Sequence, residues 1–261
     1  MKELPTYSVF AIKYATVRRN ANEKYIGADF HETLLSMDYY IWVIMSDDVC
    51  LLVDTGFNFE MAKQRGRNFL RCPIDSLKLL DINIDDISTV ILTHLHYDHA
   101  GNLELLPTSN FILQDREVMF ATGRNMRHNF LRQPYDVGDI VNIVKSIYSD
   151  RVTFINGEAE IFPGINVHHV GGHCDGLQVV QVWTEKGWLV LASDASHYYD
   201  NFKLSMPFPI VYNAGDMLQG FCKISELASD NSLIIPGHDP RVMDLFDAPK
   251  KALEGIVVKL A

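Results

Sequence analysis

The sequence predicts an α/β protein that folds as one domain, residues 1–261, and three observations support this. Apolar runs rich in β-branched residues, which are typical of strands, alternate with segments of helical periodicity in both halves of the chain. No stretch of flexible composition separates the two halves. Of the 261 residues, 48% are hydrophobic and 21% are charged, so the chain can bury a large core.

The N-terminal part of the chain is predicted to contain three strands and one long loop. A β-rich run over residues 7–17 and two apolar runs over 39–45 and 49–53 predict strands, the last two joined by a turn at 46–48. Residues 20–37 show no clear periodicity, and we expect a loop there that is long enough to have a function. Its apolar residues either line a pocket or anchor the loop: Tyr25, Ile26, Phe30 and Leu34.

The middle of the chain is predicted to be mostly helical around one central strand. The apolar run at 89–92 is that strand, and residues 100–106 are expected to form a short helix after it. Residues 59–80 are expected to be helical with a break at Pro73, and their basic side chains to face solvent: Lys63, Arg65, Arg67 and Arg71. Next come a strand at 110–113, a helix at 115–121, a loop at 122–137 that is a candidate wall of a site, and a helix at 140–148.

The C-terminal part is predicted to be rich in strands. Short apolar or alternating runs predict strands at 152–155, 160–162, 166–170, 178–184, 188–192 and 232–235. An amphipathic pattern predicts a helix at 214–228, and we expect a second helix in the tail at 249–260. Between them, an apolar loop is suited to burial in a partner subunit or in a pocket, so the sequence leaves a homodimer open: Phe202, Met206, Phe208 and Ile210.

The composition excludes several classes of protein. A net charge of -10 argues against a nucleic-acid partner, because such proteins concentrate Lys and Arg. No apolar stretch approaches the ~20 residues that a membrane-spanning helix needs. The N-terminus is interrupted by Lys13, Arg18 and Arg19 and lacks the pattern of a signal peptide. We therefore expect a cytoplasmic protein that binds neither nucleic acid nor membrane.

The four cysteines do not form a disulfide or zinc pattern, because their positions show no paired spacing: Cys50, Cys72, Cys174 and Cys222. Cys50 and Cys222 lie in apolar runs, and we expect both to be buried. Cys174 directly follows a candidate metal ligand, but the sequence gives it no catalytic role of its own.

A cluster of metal-binding residues follows the central strand. Within six positions the chain presents His94, His96, Asp98 and His99. Imidazole nitrogens and carboxylate oxygens suit zinc and other first-row divalent ions. His94 and His96 are two residues apart in an extended segment and therefore point to one face. After the turn, Asp98 and His99 face a neighbouring point, so the spacing indicates two ions side by side.

Three strand ends in the second half of the chain each supply one more candidate ligand. His173, Asp194 and His238 each follow an apolar strand and a small or turn-forming residue. Because sites in α/β proteins collect where strand ends converge, we expect these residues to complete the metal site. Asp54 also ends a strand and either braces a metal-bound histidine or caps a turn.

The pattern His94-x-His96-x-Asp98-His99, followed by Gly172-His173, Ser193-Asp194 and Gly237-His238, resembles the metallo-β-lactamase superfamily. With a ligand set of five His and two Asp, the chain is most similar to the N-acyl homoserine lactonase family. The resemblance covers almost the whole chain and includes the strand end at Asp54. It implies a four-layer αββα sandwich with two zinc ions between the edges of the sheets.

The resemblance also implies a role for each ligand. The first ion would be held by His94, His96 and His173, and the second by Asp98, His99 and His238. Asp194 would bridge the ions together with a hydroxide. Dications ~3.5–4 Å apart repel one another, and the shared carboxylate reduces this repulsion while the ions lower the pKa of the bound water to ~7. The catalytic hypothesis is attack of this hydroxide on an ester carbonyl, with Asp98 passing a proton to the leaving oxygen.

One departure from the family pattern affects the substrate. The lactonases place a tyrosine three residues after the bridging aspartate, whereas this chain has His197 there. We interpret His197 as a catalytic site residue that donates a hydrogen bond in place of the tyrosine. His31 and His128 lie in the two long loops, and both remain candidate substrate contacts. His168 and His169 alternate along a strand, and we interpret both as structural.

Several alternative functions share the same ligands. The leading interpretation is a zinc hydrolase, with iron, manganese or cobalt also compatible, that opens a lactone or related small-molecule ester and acts in quorum quenching. A glyoxalase II-like thioesterase is the second, although its basic pocket for glutathione is not evident in the sequence. A true β-lactamase, a redox diiron protein, a nuclease of the same fold and a metal-binding protein without catalysis are each disfavoured by the ligand set or the charge.

Overall fold

Two β-sheets and the helices around them form the fold in a computed structural model that describes residues 4–20, 25–27 and 35–261. The strands in the described residues are Ser8–Arg19 (β1), Leu35–Met45 (β2), Cys50–Val53 (β3), Asn68–Phe69 (β4), Thr89–Ile91 (β5), Asn110–Gln114 (β6), Val152–Ile155 (β7), Glu158–Phe162 (β8), Ile165–His169 (β9), Gln178–Thr184 (β10), Gly187–Ser193 (β11), Ile234–Pro236 (β12) and Val257–Lys259 (β13). The α-helices are Phe59–Arg65 (α1), Asp115–Ala121 (α2), Asn129–Arg132 (α3), Val137–Tyr148 (α4), Tyr199–Leu204 (α5), Ala214–Leu227 (α6) and Val242–Leu245 (α7). Short 3-10 helices cover Asp75–Leu80, Ile84–Asp86, Leu103–Leu105, Arg124–Arg127, Asn231–Leu233 and Lys251–Leu253.

The strands divide into an eight-stranded and a five-stranded sheet. The larger sheet has the order β13-β1-β2-β3-β5-β6-β7, and β4 pairs with β1 outside this path. The smaller sheet has the order β12-β11-β10-β9-β8. One continuous apolar core draws side chains from both sheets, for example Ile41, Val90 and Val180. The arrangement is an α/β sandwich, as the sequence predicts.

The direction of the strands brings the predicted ligands to one edge of each sheet. β3, β5 and β6 run parallel to one another, so their carboxyl ends lie at the same edge. In the smaller sheet β11 and β12 are parallel, and β9 has the same direction because β10 is antiparallel to both β9 and β11. The two edges meet where the backbone N–H of Gln178 donates to the backbone carbonyl of Thr93 at 3.0 Å.

The C-terminal tail was predicted to be helical, and this prediction is wrong. After the short 3-10 helix, β13 pairs with β1 with Phe10 opposite Lys259. Val257, Val258 and Leu260 are buried there. The free edge of β1 provides backbone partners and apolar contacts that the tail cannot obtain as an isolated helix.

The segment over residues 59–80 is also less helical than predicted. α1 ends at Arg65 because Gly66 adopts a left-handed conformation with φ +65°. The chain then pairs with β1 through β4 and becomes helical again only in the 3-10 turn Asp75–Leu80. The predicted helix at 100–106 is likewise a single 3-10 turn, Leu103–Leu105, which begins after Asn102.

Three further predictions concern burial and location. Cys222 is exposed and Cys50 is only partly buried, so the prediction of two buried thiols is wrong, whereas Cys174 is buried. Of the long-loop residues, Phe30, Leu34 and His31 lie outside the described residues. No helix in the described part of the chain is long and apolar enough to cross a membrane.

Candidate metal centre

The first group of ligands gathers at the end of β5. His94 Nε2 lies 3.0 Å from His96 Nδ1, and His173 Nε2 lies 2.8 Å from the same nitrogen. All three rings are buried. Burial, and after it the neighbouring histidines, lowers the pKa of His94 and of His96 well below the usual range. These imidazoles are therefore neutral at pH 7, which is the form that binds a metal.

The second group contains Asp98, His99 and His238. His99 Nε2 is 4.0 Å from Asp98 Oδ1, and His238 Nε2 is 3.8 Å from Asp98 Oδ2. The candidate donor atoms of this group all lie within 4.8 Å of one another. Three donors from two sheet edges thus surround a second point beside the first group.

Asp194 stands between the two groups and turns one oxygen toward each. Its Oδ2 is 3.2 Å from His173 Nε2 and 3.9 Å from His94 Nε2. Its Oδ1 is 3.3 Å from His99 Nε2 and 3.0 Å from His238 Nε2. Burial opposes ionisation, but the surrounding histidines, His238 and His99 first, hold the pKa of this carboxyl well below its usual range. The carboxylate is placed to bridge two ions.

Unpartnered buried atoms show that these residues fit a pair of cations. Among the described residues, His99 Nε2 and Asp194 Oδ1 are buried, and the short contacts of Asp194 Oδ1 with His99 and His238 lack hydrogen-bond geometry. Neither atom therefore has a hydrogen-bond partner, although buried polar groups are normally paired. Both atoms point into the space between the ligand groups. Imidazole nitrogens with carboxylate oxygens are the donor set of zinc and other first-row dications, so the centre is a dinuclear metal site by its chemistry.

Hydrogen bonds behind the ligands set which ring nitrogen faces the centre. The Nδ1–H of His173 donates to the Ile210 carbonyl, and that of His238 to the Asp38 carbonyl, both at 2.8 Å. His99 Nδ1 lies 2.7 Å from Asp54 Oδ2. Each of these partners leaves the Nε2 lone pair directed at the centre.

Asp54 performs both roles that the sequence left open. It ends β3 in a left-handed conformation with φ +62°. Its carboxylate accepts hydrogen bonds from the Thr93 backbone N–H at 2.7 Å and from the Thr93 hydroxyl at 2.8 Å, in addition to the bond from His99. Asp54 therefore holds the first residue of the ligand loop and one ligand ring at the same time.

Glu117 is a supporting residue that the sequence analysis missed. This buried carboxylate on α2 accepts from the Leu95 N–H at 3.0 Å and the Tyr135 hydroxyl at 2.9 Å through Oε1. Its Oε2 accepts from the Gly176 N–H at 2.9 Å. Glu117 thereby ties the loop of His94 and His96 to the loop of His173. Nothing in its local sequence distinguishes it from a surface glutamate of a helix.

His197 lies beside Asp194 at the candidate centre. Its Nε2 is 2.9 Å from Asp194 Oδ2, and its ring stacks on Phe208 with 3.6 Å between centroids. Burial lowers the pKa of His197 to about 4, against the opposing effect of Asp194. The ring is therefore neutral at pH 7 and carries one N–H.

The other histidines among the described residues lie away from the ligands. His168 Nε2 lies 3.0 Å from Gln181 Oε1, and His169 Nε2 donates to the Asp175 carbonyl. His128 is exposed and does not line the cavity described next.

A cavity of about 310 Å³ opens onto the ligands. Residues 122–137 form part of its wall, as predicted, through Phe130, Leu131, Gln133 and Pro134. A second wall comes from Pro209, Ile210, Val211 and Tyr212. Tyr25 and Ile26 do not line it, and Ile26 is exposed. The prediction that Arg65 and Arg67 face solvent is wrong, because both line the cavity together with Arg19.

Comparisons with protein-family models and with curated proteins agree on one family. A family model of the metallo-beta-lactamase superfamily matches residues 37–243. The N-acyl homoserine lactonase AiiB of Rhizobium rhizogenes (strain K84) is 32% identical over 191 residues, which are 65% of this chain and 67% of AiiB. An N-acyl homoserine lactonase of Bacillus cereus is 25% identical over 222 residues, covering 79% of this chain and 83% of the relative.

Solved structures share the fold. An N-acyl homoserine lactone hydrolase with the product N-hexanoyl-L-homoserine bound at its catalytic metal centre has a TM-score of 0.78 at 20% identity, covering 94% of this chain and 98% of that one. AidC, a dizinc quorum-quenching lactonase, has a TM-score of 0.72 at 15% identity, covering 91% of this chain and 89% of AidC. The predicted four-layer sandwich is therefore confirmed.

Proposed function

The chain belongs to the metallo-β-lactamase superfamily, and we propose that it is a dinuclear metal-dependent hydrolase that opens a lactone or a related cyclic ester. N-acyl homoserine lactones are the first candidate substrates, because the curated relatives are named for them. The observation that carries the proposal is the position of Asp194, whose two oxygens face two separate groups of ligands.

The ligands divide between two ions as the family resemblance implies. In this proposal His94, His96 and His173 hold one ion, Asp98, His99 and His238 hold the other, and Asp194 is shared. Zinc is the proposed ion, since the His and Asp donor set suits it, and iron, manganese and cobalt are compatible. When bound, such a pair supplies Lewis acidity and a water molecule that ionises near neutral pH.

We assign two side chains of the protein to roles in the reaction, one in proton transfer and one in hydrogen bonding to the substrate. Asp98 is the more accessible carboxylate of the centre, 9% exposed against 3% for Asp194, and it lines the cavity. We assign Asp98 to carry a proton from the attacking water to the leaving alkoxide. His197 also lines the cavity, and its single N–H serves either Asp194 or the substrate carbonyl. We assign it to orient Asp194 before substrate binds and to donate to the carbonyl afterwards.

The part of the cavity wall that the structure describes offers no aliphatic hydroxyl or thiol nucleophile. None of the described residues that line it is a serine, threonine or cysteine, and the buried Cys174 has a pKa raised well above its usual value by burial and then by Glu117. A thiol in that state is not a nucleophile. Attack by water is therefore the route that the cavity supports.

A thioesterase of the glyoxalase II kind is the second candidate, and one observation favours it. Arg19, Arg65 and Arg67 line the cavity, whereas the sequence alone indicated no basic pocket for a substrate such as a glutathione thioester. Guanidinium groups pair well with the carboxylates that such a substrate carries.

The test is hydrolysis of a substrate panel by zinc-loaded protein, with Asp194→Ala as the control. The panel contains acyl homoserine lactones of several chain lengths, plain γ- and δ-lactones, aromatic lactones and a glutathione thioester. We expect lactone turnover that is lost in the control, with two ions per chain in the wild type. Turnover of the thioester alone would establish the second candidate, and no turnover of any ester with two ions bound would refute both.

Other features remain proposals drawn from the sequence. We propose a single domain, a cytoplasmic location and, if acyl homoserine lactones are the substrate, a role in quorum quenching. A homodimer stays a prediction, and Phe208 no longer supports it, because this side chain is fully buried against His197.

A further inference from the structure

One wall of the cavity is basic although the protein as a whole is acidic. The net charge of the chain is -10, yet the described residues that line the cavity include three arginines and two carboxylates, those of Asp98 and Asp194. Cations bound by the centre would make the cavity more positive still. Electrostatic complementarity therefore favours a substrate that carries negative charge.

Local backbone geometry places two of these arginines beside the ligands. α1 ends at Arg65, and the left-handed Gly66 reverses the chain so that Arg67 returns to the same side. The Arg65 guanidinium lies 3.8 Å from the centroid of the Tyr97 ring, and Arg67 Nε donates to the Tyr97 hydroxyl at 3.0 Å. Tyr97 is buried, and in the sequence it lies between the candidate ligands His96 and Asp98. The two guanidinium groups are therefore held next to the metal centre.

The two arginines differ in how their N–H groups are used. Arg65 donates to the carbonyls of Gln133 at 2.9 Å and Tyr135 at 3.2 Å, which ties α1 to the opposite wall. Arg67 donates through Nε to Tyr97 and through Nη1 to the Arg65 carbonyl at 2.7 Å. In the part of the chain that the structure describes, Nη2 of Arg67 has no hydrogen-bond partner and Arg67 forms no ion pair.

We infer that the substrate carries a carboxylate, and that Arg67 binds it through the side of the guanidinium that faces the cavity. The inference rests on the proposed hydrolase and specifies its substrate class: a lactone or ester whose acyl part ends in an acid. The partly buried Arg67 guanidinium makes no direct ion pair with a described carboxylate, and a carboxylate of the substrate would form charge-assisted hydrogen bonds with it. An uncharged acyl chain would leave Arg67 facing apolar atoms.

The experiment compares lactones that differ only in one terminal group. The probes are homoserine lactones N-acylated with the half-acids succinyl, glutaryl and adipoyl, and the uncharged butanoyl, pentanoyl and hexanoyl homoserine lactones of the same chain lengths. Metal-loaded wild type is assayed beside Arg67→Ala, Arg67→Lys and Arg124→Ala. Arg124 is exposed and does not line the cavity, so this last variant controls for the loss of one positive charge.

We expect at least one half-acid lactone to be preferred over its uncharged counterpart by about 10- to 100-fold in kcat/KM, the range for one charge-assisted pair. In Arg67→Ala this preference disappears, because KM for the half-acid lactones rises by more than any change in KM for the uncharged lactones. Arg67→Lys restores it partly, and Arg124→Ala keeps it. A kcat/KM of the wild type for the uncharged lactones that equals or exceeds that for the half-acid lactones overturns the inference. An equal loss of kcat/KM on both kinds of substrate in Arg67→Ala also overturns it, because Arg67 would then only brace Tyr97.

A binding measurement separates this inference from the proposed reaction. If no lactone is hydrolysed, the lactonase proposal fails, and calorimetric titration with N-adipoyl homoserine and N-hexanoyl homoserine still tests the arginine. Tighter binding of the adipoyl compound that is lost in Arg67→Ala supports the carboxylate site. Equal binding of the two compounds refutes it.

Discussion

Replacing Asp54 by Asn is expected to weaken one of the two proposed metal sites while the fold is retained. Asp54 accepts three hydrogen bonds of 2.7–2.8 Å, from the Thr93 N–H, the Thr93 hydroxyl and His99 Nδ1. An asparagine keeps one oxygen for the Thr93 N–H, so its amide group must face His99. That amide donates, and His99 then has to place its own proton on Nε2, the nitrogen that faces the centre.

The size of the effect follows from this change of tautomer. Loss of a carboxylate behind a metal-bound histidine typically costs 10–100-fold in metal affinity, or ~1.4–2.7 kcal/mol. Because His99 belongs to the second group of ligands, we expect only one of the two ions to be released more easily. Competition with a chelator during metal titration measures the two affinities separately, and Asp47→Asn, a change in the exposed β2–β3 turn, is the matched control.

Two outcomes would contradict this reasoning. Unchanged affinities for both ions in Asp54→Asn would show that Asp54 does not set the tautomer of His99. Equal weakening of both ions, together with a large loss of stability of the metal-free protein in urea, would show that Asp54 acts through the fold. A cost of about 1–3 kcal/mol in the metal-free protein is expected for the altered buried hydrogen bonds and is subtracted.

The remaining predictions concern three other positions. His197→Ala should lower kcat about 10- to 100-fold with two ions still bound, because it removes the N–H beside Asp194; metal analysis showing a lost ion would instead make His197 a ligand. Gly237→Ala should release metal, because a Cβ there would lie 2.6 Å from Asp194 Oδ1, whereas Gly215→Ala in α6 should bind both ions. Asp139→Asn should stabilise the protein at pH 8 and have no effect below pH 4. Burial, followed by the charge of nearby carboxylates, raises the pKa of Asp139 from 3.8 to about 7, so the native state favours the protonated form and loses stability as the pH rises from 3.8 to about 7. The full shift corresponds to about 4 kcal/mol, which partial exposure reduces to about 1–2 kcal/mol in thermal or urea unfolding; an equal gain at pH 4 and pH 8 would refute the titration.

Local sequence was sufficient for the strand ends and for the ligands on them. The strands around His94, His173, Asp194 and His238 were predicted within a few residues, and each predicted ligand reaches the centre. The reason is geometric: a ligand placed directly after a buried strand has little freedom in where it points. Parallel strands then bring such ends to the same edge.

Local sequence patterns did not predict the contacts between residues that are far apart in the sequence. β13 formed a strand because the edge of β1 was free to pair with it. The local pattern of the tail resembled a helix and gave no sign of this partner strand. Cys222 lies in an apolar run but on the exposed side of α6. Burial of such residues is decided by which face of an element meets the core.

The amino-acid sequence by itself determined the fold class and pointed to the candidate ligand set, since these depend on residue types at fixed short spacings. Only the tertiary structure decided the surroundings of the centre. Glu117 joins two ligand loops across 59 positions of sequence to Gly176, and Arg67 reaches Tyr97 across 30. Hydrogen bonds of this kind arise when packing brings separate elements together, so the wall that we propose to select the substrate is a property of the folded chain.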